Sequence, residues 1–233
     1  MRLKLQDYFN NLEYITHQAI IKSLPEDKRN NQKDIILVNG KTTIEEVIWH
    51  KNEMPYVIEG IVEIQADKRL KIDPGVMVKF YGEAYLSISG TLIAQGTETE
   101  SITFTAFGGF WKNISFTKSS KDSILENVIV SHGGGFNVLG QINVKDCAIE
   151  MRNSTSTNSI NLGIYLENSS SSIENSYFAD QPQGIRVDGW GAFPHFGEGL
   201  TFKDNFTDIY IIEKTRWCAL LPAYLRTYRT NCP

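Results

Sequence analysis

The chain has 233 residues, 41% of them hydrophobic, and a formal net charge of −4. That acidic balance excludes a nucleic-acid partner held by counterion release, because no basic patch exists to drive it. No stretch approaches the roughly 20 apolar residues of a spanning helix, so no membrane span is expected.

From Leu5 the apolar residues fall at Leu5, Tyr8, Phe9, Leu12, Ile15, Ala19 and Ile20, the spacing of an amphipathic helix. Its polar face is not strongly cationic, so the helix is expected to cover an edge of the fold rather than lie on a membrane. Residues 25–34 read as a polar linker, residues 35–38 as a short strand, and residues 42–49 as a brief helix or strand. Residues 1–52 are therefore expected to form a helical cap region and linker.

The pattern then changes. Short alternating runs at 56–58, 61–64, 70–72, 76–80, 86–88 and 102–104 are each punctuated by Gly, Pro, Asp or Ser. Later the six-residue form Leu125-Glu126-Asn127-Val128-Ile129-Val130 returns as Val144-Lys145-Asp146-Cys147-Ala148-Ile149 and Ile173-Glu174-Asn175-Ser176-Tyr177-Phe178. First and last positions are apolar and the third is Asn or Asp, which fits strand, left-handed turn, strand. A longer phrase, residues 178–187, recurs as residues 202–211, an offset of 24 residues. Periods of this size mean stacked coils rather than a globule closed around one centre. Paired strands would stack the coils at about 4.8 Å.

Residues 55–62, 70–80 and 90–96 resemble the opening coils of bacterial surface β-helix repeat proteins. Trp111-Lys112-Asn113-Ile114-Ser115-Phe116 and the Gly-Ile-x-Val rungs continue the likeness, which covers roughly residues 53–213. The chain thus resembles the right-handed parallel β-helix, or pectin-lyase-like, family. The resemblance implies an all-β fold, a right-handed solenoid of about six or seven rungs, and a secreted or cell-surface location. Residues 1–7 carry no signal-peptide core, and a missing upstream segment would reconcile the two. The family includes lyases, hydrolases, epimerases and adhesins, so activity must be argued from a site.

After Ile212 the coil pattern stops. Trp217, Leu220, Leu221, Tyr224, Leu225 and Tyr228 share a helical face that Pro222 interrupts. Residues 214–233 are expected as either a helical cap over the solenoid end or an irregular tail. Cys147, Cys218 and Cys232 show no metal-ligand spacing. Whether Cys218 and Cys232 pair is left open.

Alternation along the rungs points Ile164, Leu166, Ile185, Val187, Ile209 and Ile211 inward. Tyr165, Arg186 and Tyr210 then form an outward column beside Glu167 and Asp188, with the two carboxylates about 5 Å apart. Tyrosines stack on sugars, Arg forks onto uronate carboxylates, and paired carboxylates bind Ca²⁺ or act as acid and base. A separation of about 5 Å would suit a retaining glycosidase. The family's lyases commonly abstract a proton with Lys or Arg beside a Ca²⁺-neutralised uronate, and by that resemblance Arg186 would take the role. The competing reading is a surface pair of Arg186 with Glu167 under two covering tyrosines.

The loop after Asp188 carries Trp190, Phe193, His195 and Phe196, which could wall a groove beside the column or fold back onto the coil. No phosphate-binding Gly loop, nucleophile elbow or dinucleotide fingerprint occurs. The expected function is a non-catalytic β-helix module contacting polysaccharide or another protein. The alternative is a polysaccharide lyase or glycoside hydrolase acting along the exposed face. Ca²⁺ is the one cofactor the carboxylate pair suggests.

Overall fold

A computed structural model describes residues 19–23, 34–118, 120, 122–189 and 193–212. Strand β1 (Ala19–Ser23) precedes a solenoid of about seven turns. Its opening coils are β2 (Asp34–Trp49), β3 (Tyr56–Ile72), and β4 (Met77–Ile88) with β5 (Thr91–Gln95). Next come β6 (Ile102–Ala106), β7 (Ile114–Phe116) and β8 (Ser123–Glu126), then β9 (Val128–Ser131), β10 (Gly140–Lys145) and β11 (Ile149–Arg152). The following coil holds β12 (Thr155–Thr157), β13 (Leu162–Glu167) and β14 (Ser172–Glu174). The last elements are β15 (Tyr177–Ala179), β16 (Gln183–Asp188), β17 (His195–Phe196), β18 (Thr201–Lys203) and β19 (Thr207–Ile211).

Every coil pairs in parallel with the next, giving three sheet faces. On face I, Tyr56, Val78, Phe104, Val130, Ser156, Phe178 and Phe202 lie in register. On face II the row is Val62, Leu86, Ile114, Ile142, Ile164, Ile185 and Ile209. On face III it is Ile72, Ala94, Leu125, Met151, Ile173 and Phe196. All of these side chains are buried, so the core is one continuous stack running down the middle. The alternation of apolar and polar residues produces this directly, because successive side chains of a strand point to opposite faces. A parallel β-solenoid is therefore what the repeat encodes.

The corners are turned by single residues in the left-handed region. Asn127 (φ 48°), Asp146 (φ 54°) and Asn175 (φ 45°), the third positions of the repeated six-residue form, all adopt it. Asn and Asp tolerate this conformation because their short polar groups bond the local backbone. The turns also bond one another: Asn127 Nδ2 donates to Gly96 O at 3.2 Å, and Asn168 Nδ2 to Asp146 Oδ1 at 2.9 Å. Gly189 (φ 105°) turns the chain one coil beyond Asn168, where a β-carbon would stand 2.1 Å from Asn168 Oδ1. Only glycine fits there.

The N-terminal reading needs correction where the structure describes it. Ala19 and Ile20, placed at the end of an amphipathic helix, lie in β1, which pairs antiparallel with β2 (Ala19 opposite Val38, Ser23 opposite Asp34). Pairing with a neighbouring strand overrides a helical spacing that only two residues extend. Residues 42–49, left as helix or strand, are strand, and β2 pairs in parallel with β3. The parallel pairing of β2 with β3 begins with residue 36 opposite residue 56. The rest of the N-terminal helix and the whole 214–233 tail lie outside the described residues. No helix among the described residues is long and apolar enough to cross a membrane.

Polar ladders run along the outer faces. On face III, Gln95 Nε2 donates to Glu126 Oε2 at 2.9 Å, and Arg152 Nε stands 2.9 Å from Glu126 Oε1. The Arg152 guanidinium, with help from the Gln95 amide, holds the Glu126 carboxyl below the usual carboxylate range. A carboxyl whose pKa is lowered by folding stabilises the protein above its unfolded pKa and loses that contribution as pH falls through the folded value. Glu126→Gln should accordingly lower stability at pH 7 by about 1 kcal/mol or less, since the pair is partly solvated. Urea titrations should show this difference shrinking below about pH 4 and vanishing at lower pH.

Candidate functional site

Strands β13, β16 and β19 place the predicted column as the alternation requires. Tyr165 lies opposite Arg186, Arg186 opposite Tyr210, and Glu167 opposite Asp188. The Arg186 guanidinium carbon sits 5.7 Å from the Tyr165 ring centroid and 5.5 Å from that of Tyr210, so the cation lies between two aromatic faces. Each such contact contributes about 0.5–1 kcal/mol where solvent reaches it.

The charge pairing differs from the expected one. Arg186 does not take Glu167; its Nε lies 3.3 and 3.2 Å from the two Asp188 carboxylate oxygens, and Nη2 lies 3.1 Å from Oδ2. Asp188 Oδ2 also accepts the Tyr165 hydroxyl at 2.9 Å. Glu167 is engaged from the other side by Lys145 Nζ at 2.8 Å. Two residues along one strand return to the same face, so Asp188 sits beside Arg186 on its own backbone. Each carboxylate of the candidate Ca²⁺ pair thus has its own cation.

The protonation states follow. Tyr165 is 8% exposed, and burial followed by its bond to Asp188 pushes its phenol well above the ordinary tyrosine range. It is a proton donor at neutral pH, not a base. Arg186 is stacked between two rings and forked onto the Asp188 carboxylate. Among the described residues, no group of three or more His, Cys, Asp or Glu side chains could hold a metal ion.

The loop after the column is divided by the fold. Phe196 is an inward residue of face III, 4% exposed, in register with Ile173. His195 is exposed on that same face opposite Ser172, one face away from Tyr165, Arg186 and Tyr210. Phe193 is exposed, and Trp190 lies outside the described residues. The structure therefore unites Tyr165, Glu167, Arg186, Asp188 and Tyr210, and separates His195 from them.

A feature the sequence reading missed lies at the corner between faces I and II. Phe136 (43%), Leu139 (43%), Ile160 (41%) and Phe206 (82%) are exposed there on successive coils, with Pro182 between the last two. The turns stack by backbone bonds: Leu162 N donates to Leu139 O, Gln183 N to Asn161 O, and Thr207 N to Pro182 O. At its upper end a β-carbon on Gly135 would lie 3.4 Å from Phe110 Cβ and 3.9 Å from Ile160 Cδ1, so these side chains gather round that glycine. The signal was present as apolar residues inside segments otherwise built of turn formers. Exposed apolar groups aligned over several coils mark an interaction surface more often than scattered ones do.

Comparison of the chain with protein-family models, curated proteins and solved structures returned no match.

Proposed function

We propose that the chain is a non-catalytic β-helix module, of the pectin-lyase-like kind its repeats resemble, that contacts another protein. The observation that carries this reading is the apolar ridge of Phe136, Leu139, Ile160 and Phe206 along one corner. The four side chains of the ridge carry no hydrogen-bonding groups and suit the apolar surface of a protein. The column on face II supports the same conclusion from the other side. Arg186, Asp188 and the Tyr165 hydroxyl bond one another there and Glu167 pairs with Lys145, an arrangement that suits a structural face.

The test runs two channels on the purified chain. Acidic and neutral polysaccharides, with and without Ca²⁺, should yield neither new chain ends nor retention. A discrete protein partner captured from the native extract should be lost at least about tenfold with Phe206→Asp or Ile160→Asp and retained with Arg186→Ala. New chain ends that disappear in Arg186→Ala would overturn the proposal in favour of an enzyme. Polysaccharide retention lost in Tyr165→Ala and Tyr210→Ala would make face II a carbohydrate surface instead.

A further inference from the structure

The ridge belongs to a wider pattern at the corner between faces I and II. Four turns stack there, each opened by a residue in the left-handed region: His132 (φ 58°), Asn158 (φ 53°), Asp180 (φ 54°) and Asp204 (φ 53°). They form a column, because the residues just before them, Ser131, Thr157, Ala179 and Lys203, lie in register on face I. All four are exposed. Histidine, asparagine and aspartate take up this conformation more readily than most side chains. Backbone geometry therefore selects the residue types, but it does not set their order down the column.

That order divides the corner in two. Across residues 133–144 and 153–166, which hold the two upper turns, there is no Lys, Arg, Asp or Glu. Each lower turn brings an exposed carboxylate, Asp180 and Asp204, with Lys203 Nζ 3.8 Å from Asp204 Oδ2. The upper column residues are hydrogen-bond donors. Asn158 Nδ2 gives one hydrogen to Thr157 Oγ1 at 3.1 Å, and a primary amide has two. Ser131 Oγ donates to Thr105 Oγ1 at 2.9 Å, which leaves the Thr105 hydroxyl to donate to His132 Nδ1, 3.5 Å away. A neutral imidazole that accepts at Nδ1 carries its hydrogen on Nε2. Beside the column each turn adds an exposed apolar group: Phe136 and Leu139, then Ile160, Pro182 and Phe206.

Two copies can meet at such a corner in two ways. With solenoid axes parallel, each turn faces its own counterpart, so Asp180 meets Asp180 and Asp204 meets Asp204, and like charges oppose the contact. With axes antiparallel, about a two-fold axis passing between the Ile160 and Pro182 turns, upper turns face lower ones. Asp204 then faces His132 of the second copy, and Asp180 faces Asn158. Ile160 faces Pro182, and Phe206 faces Phe136 and Leu139. Each contact occurs twice, as an isologous pair requires.

We propose that the partner of this corner is a second copy of the chain, docked antiparallel through the turns at 132–139, 158–161, 180–182 and 204–206. The proposal rests on the reading of the ridge as a protein-binding surface and names its occupant. Acceptors meet donors and apolar groups meet apolar groups only in this orientation. The four turns cover three strand spacings, about 14 Å along the axis, so the contact belongs with small, reversible interfaces. Phe206, 82% exposed, is its largest anchor.

The test mixes isotope-labelled unsubstituted chain with unlabelled chain carrying a photo-crosslinking benzoylphenylalanine at position 206, and maps the adducts by mass spectrometry. Adducts to residues 132–139 of the labelled chain are expected. Adducts elsewhere in the labelled chain, or none to it, would overturn the proposal. Sedimentation equilibrium supplies the second arm, with a reversible dimer expected. His132→Asp should weaken it roughly tenfold by setting two carboxylates against each other. Adding Asp204→His should restore it, because the pair is then exchanged across both contacts. A dimer indifferent to His132→Asp, or a double variant as weak as the single one, would count against the antiparallel docking. A chain that stays monomeric, yet captures a Phe206-dependent partner from the extract, would overturn the second copy and leave the ridge as a protein-binding surface.

Discussion

Trp111→Ala is expected to destabilise the solenoid by about 4 kcal/mol, the range for deleting a fully buried tryptophan. The indole is inaccessible and stacks on Phe80 with centroids 3.9 Å apart and planes 6° from parallel. Its Nε1–H donates to Ser131 O at 2.8 Å, tying the turn after β6 to the end of β9. Alanine removes the ring, leaves a cavity between adjacent coils and strands a carbonyl. Trp111→Phe keeps an aromatic stack but not the donor, so it should cost roughly 1–2 kcal/mol. Urea midpoints would rank the two. In a solenoid each coil touches only its neighbours, so the loss should be local at first. Hydrogen exchange should quicken most in β4, β6 and β9, less in β16 and β19. A uniform loss of protection across all coils would instead mean that the stack unfolds as one unit.

That locality also explains what could be read from the sequence. A rung needs only its own alternation and its neighbour's register, so Ile164, Ile185 and Ile209 could be stacked without seeing any distant residue. The Asn or Asp at the third position of the six-residue form announced a left-handed corner, and Asn127, Asp146 and Asn175 adopt it. The helical spacing of Leu5 to Ile20 failed at Ala19 and Ile20, because whether an apolar run pairs as a strand depends on a partner elsewhere, here the Asp34–Val38 stretch of β2. At the site, register placed Tyr165, Arg186 and Tyr210 in one column. Register cannot choose between the cross-strand Glu167 and the same-strand Asp188 as partner for Arg186, because side-chain geometry selects among equally near carboxylates. The ridge escaped for a different reason. Phe136, Leu139, Ile160 and Phe206 occupy turns, where no periodicity reveals which way a side chain points.

Buried polar side chains also line the corner between faces I and II, and Gln141→Leu, at the start of β10, probes them. Gln141 is fully buried. Its Nε2 donates to Ser156 Oγ at 2.8 Å, Val130 O at 3.1 Å and Thr157 O at 3.3 Å, and its Oε1 accepts from Gly133 N at 3.1 Å. One side chain therefore joins β9, the following turn and β12 across two coils. The motif continues downward: Gln181 Nε2 donates to Ser156 O at 3.3 Å, and Asn205 Nδ2 to Phe178 O at 2.9 Å. Leucine approximates the volume and removes every bond, leaving the Gly133 N–H without its acceptor in a site water cannot reach. A stranded buried donor costs about 1–3 kcal/mol, and the freed carbonyls add to it. Gln141→Leu should therefore lose about 3 kcal/mol, although a leucine fills such space well in an apolar core. Adding Ser156→Ala should cost less than it does alone, because Ser156 Oγ has already lost its donor from Gln141. Additive losses in this double-mutant cycle would show that the two side chains act separately, and that the polar corner is a row of independent bonds rather than a coupled ladder.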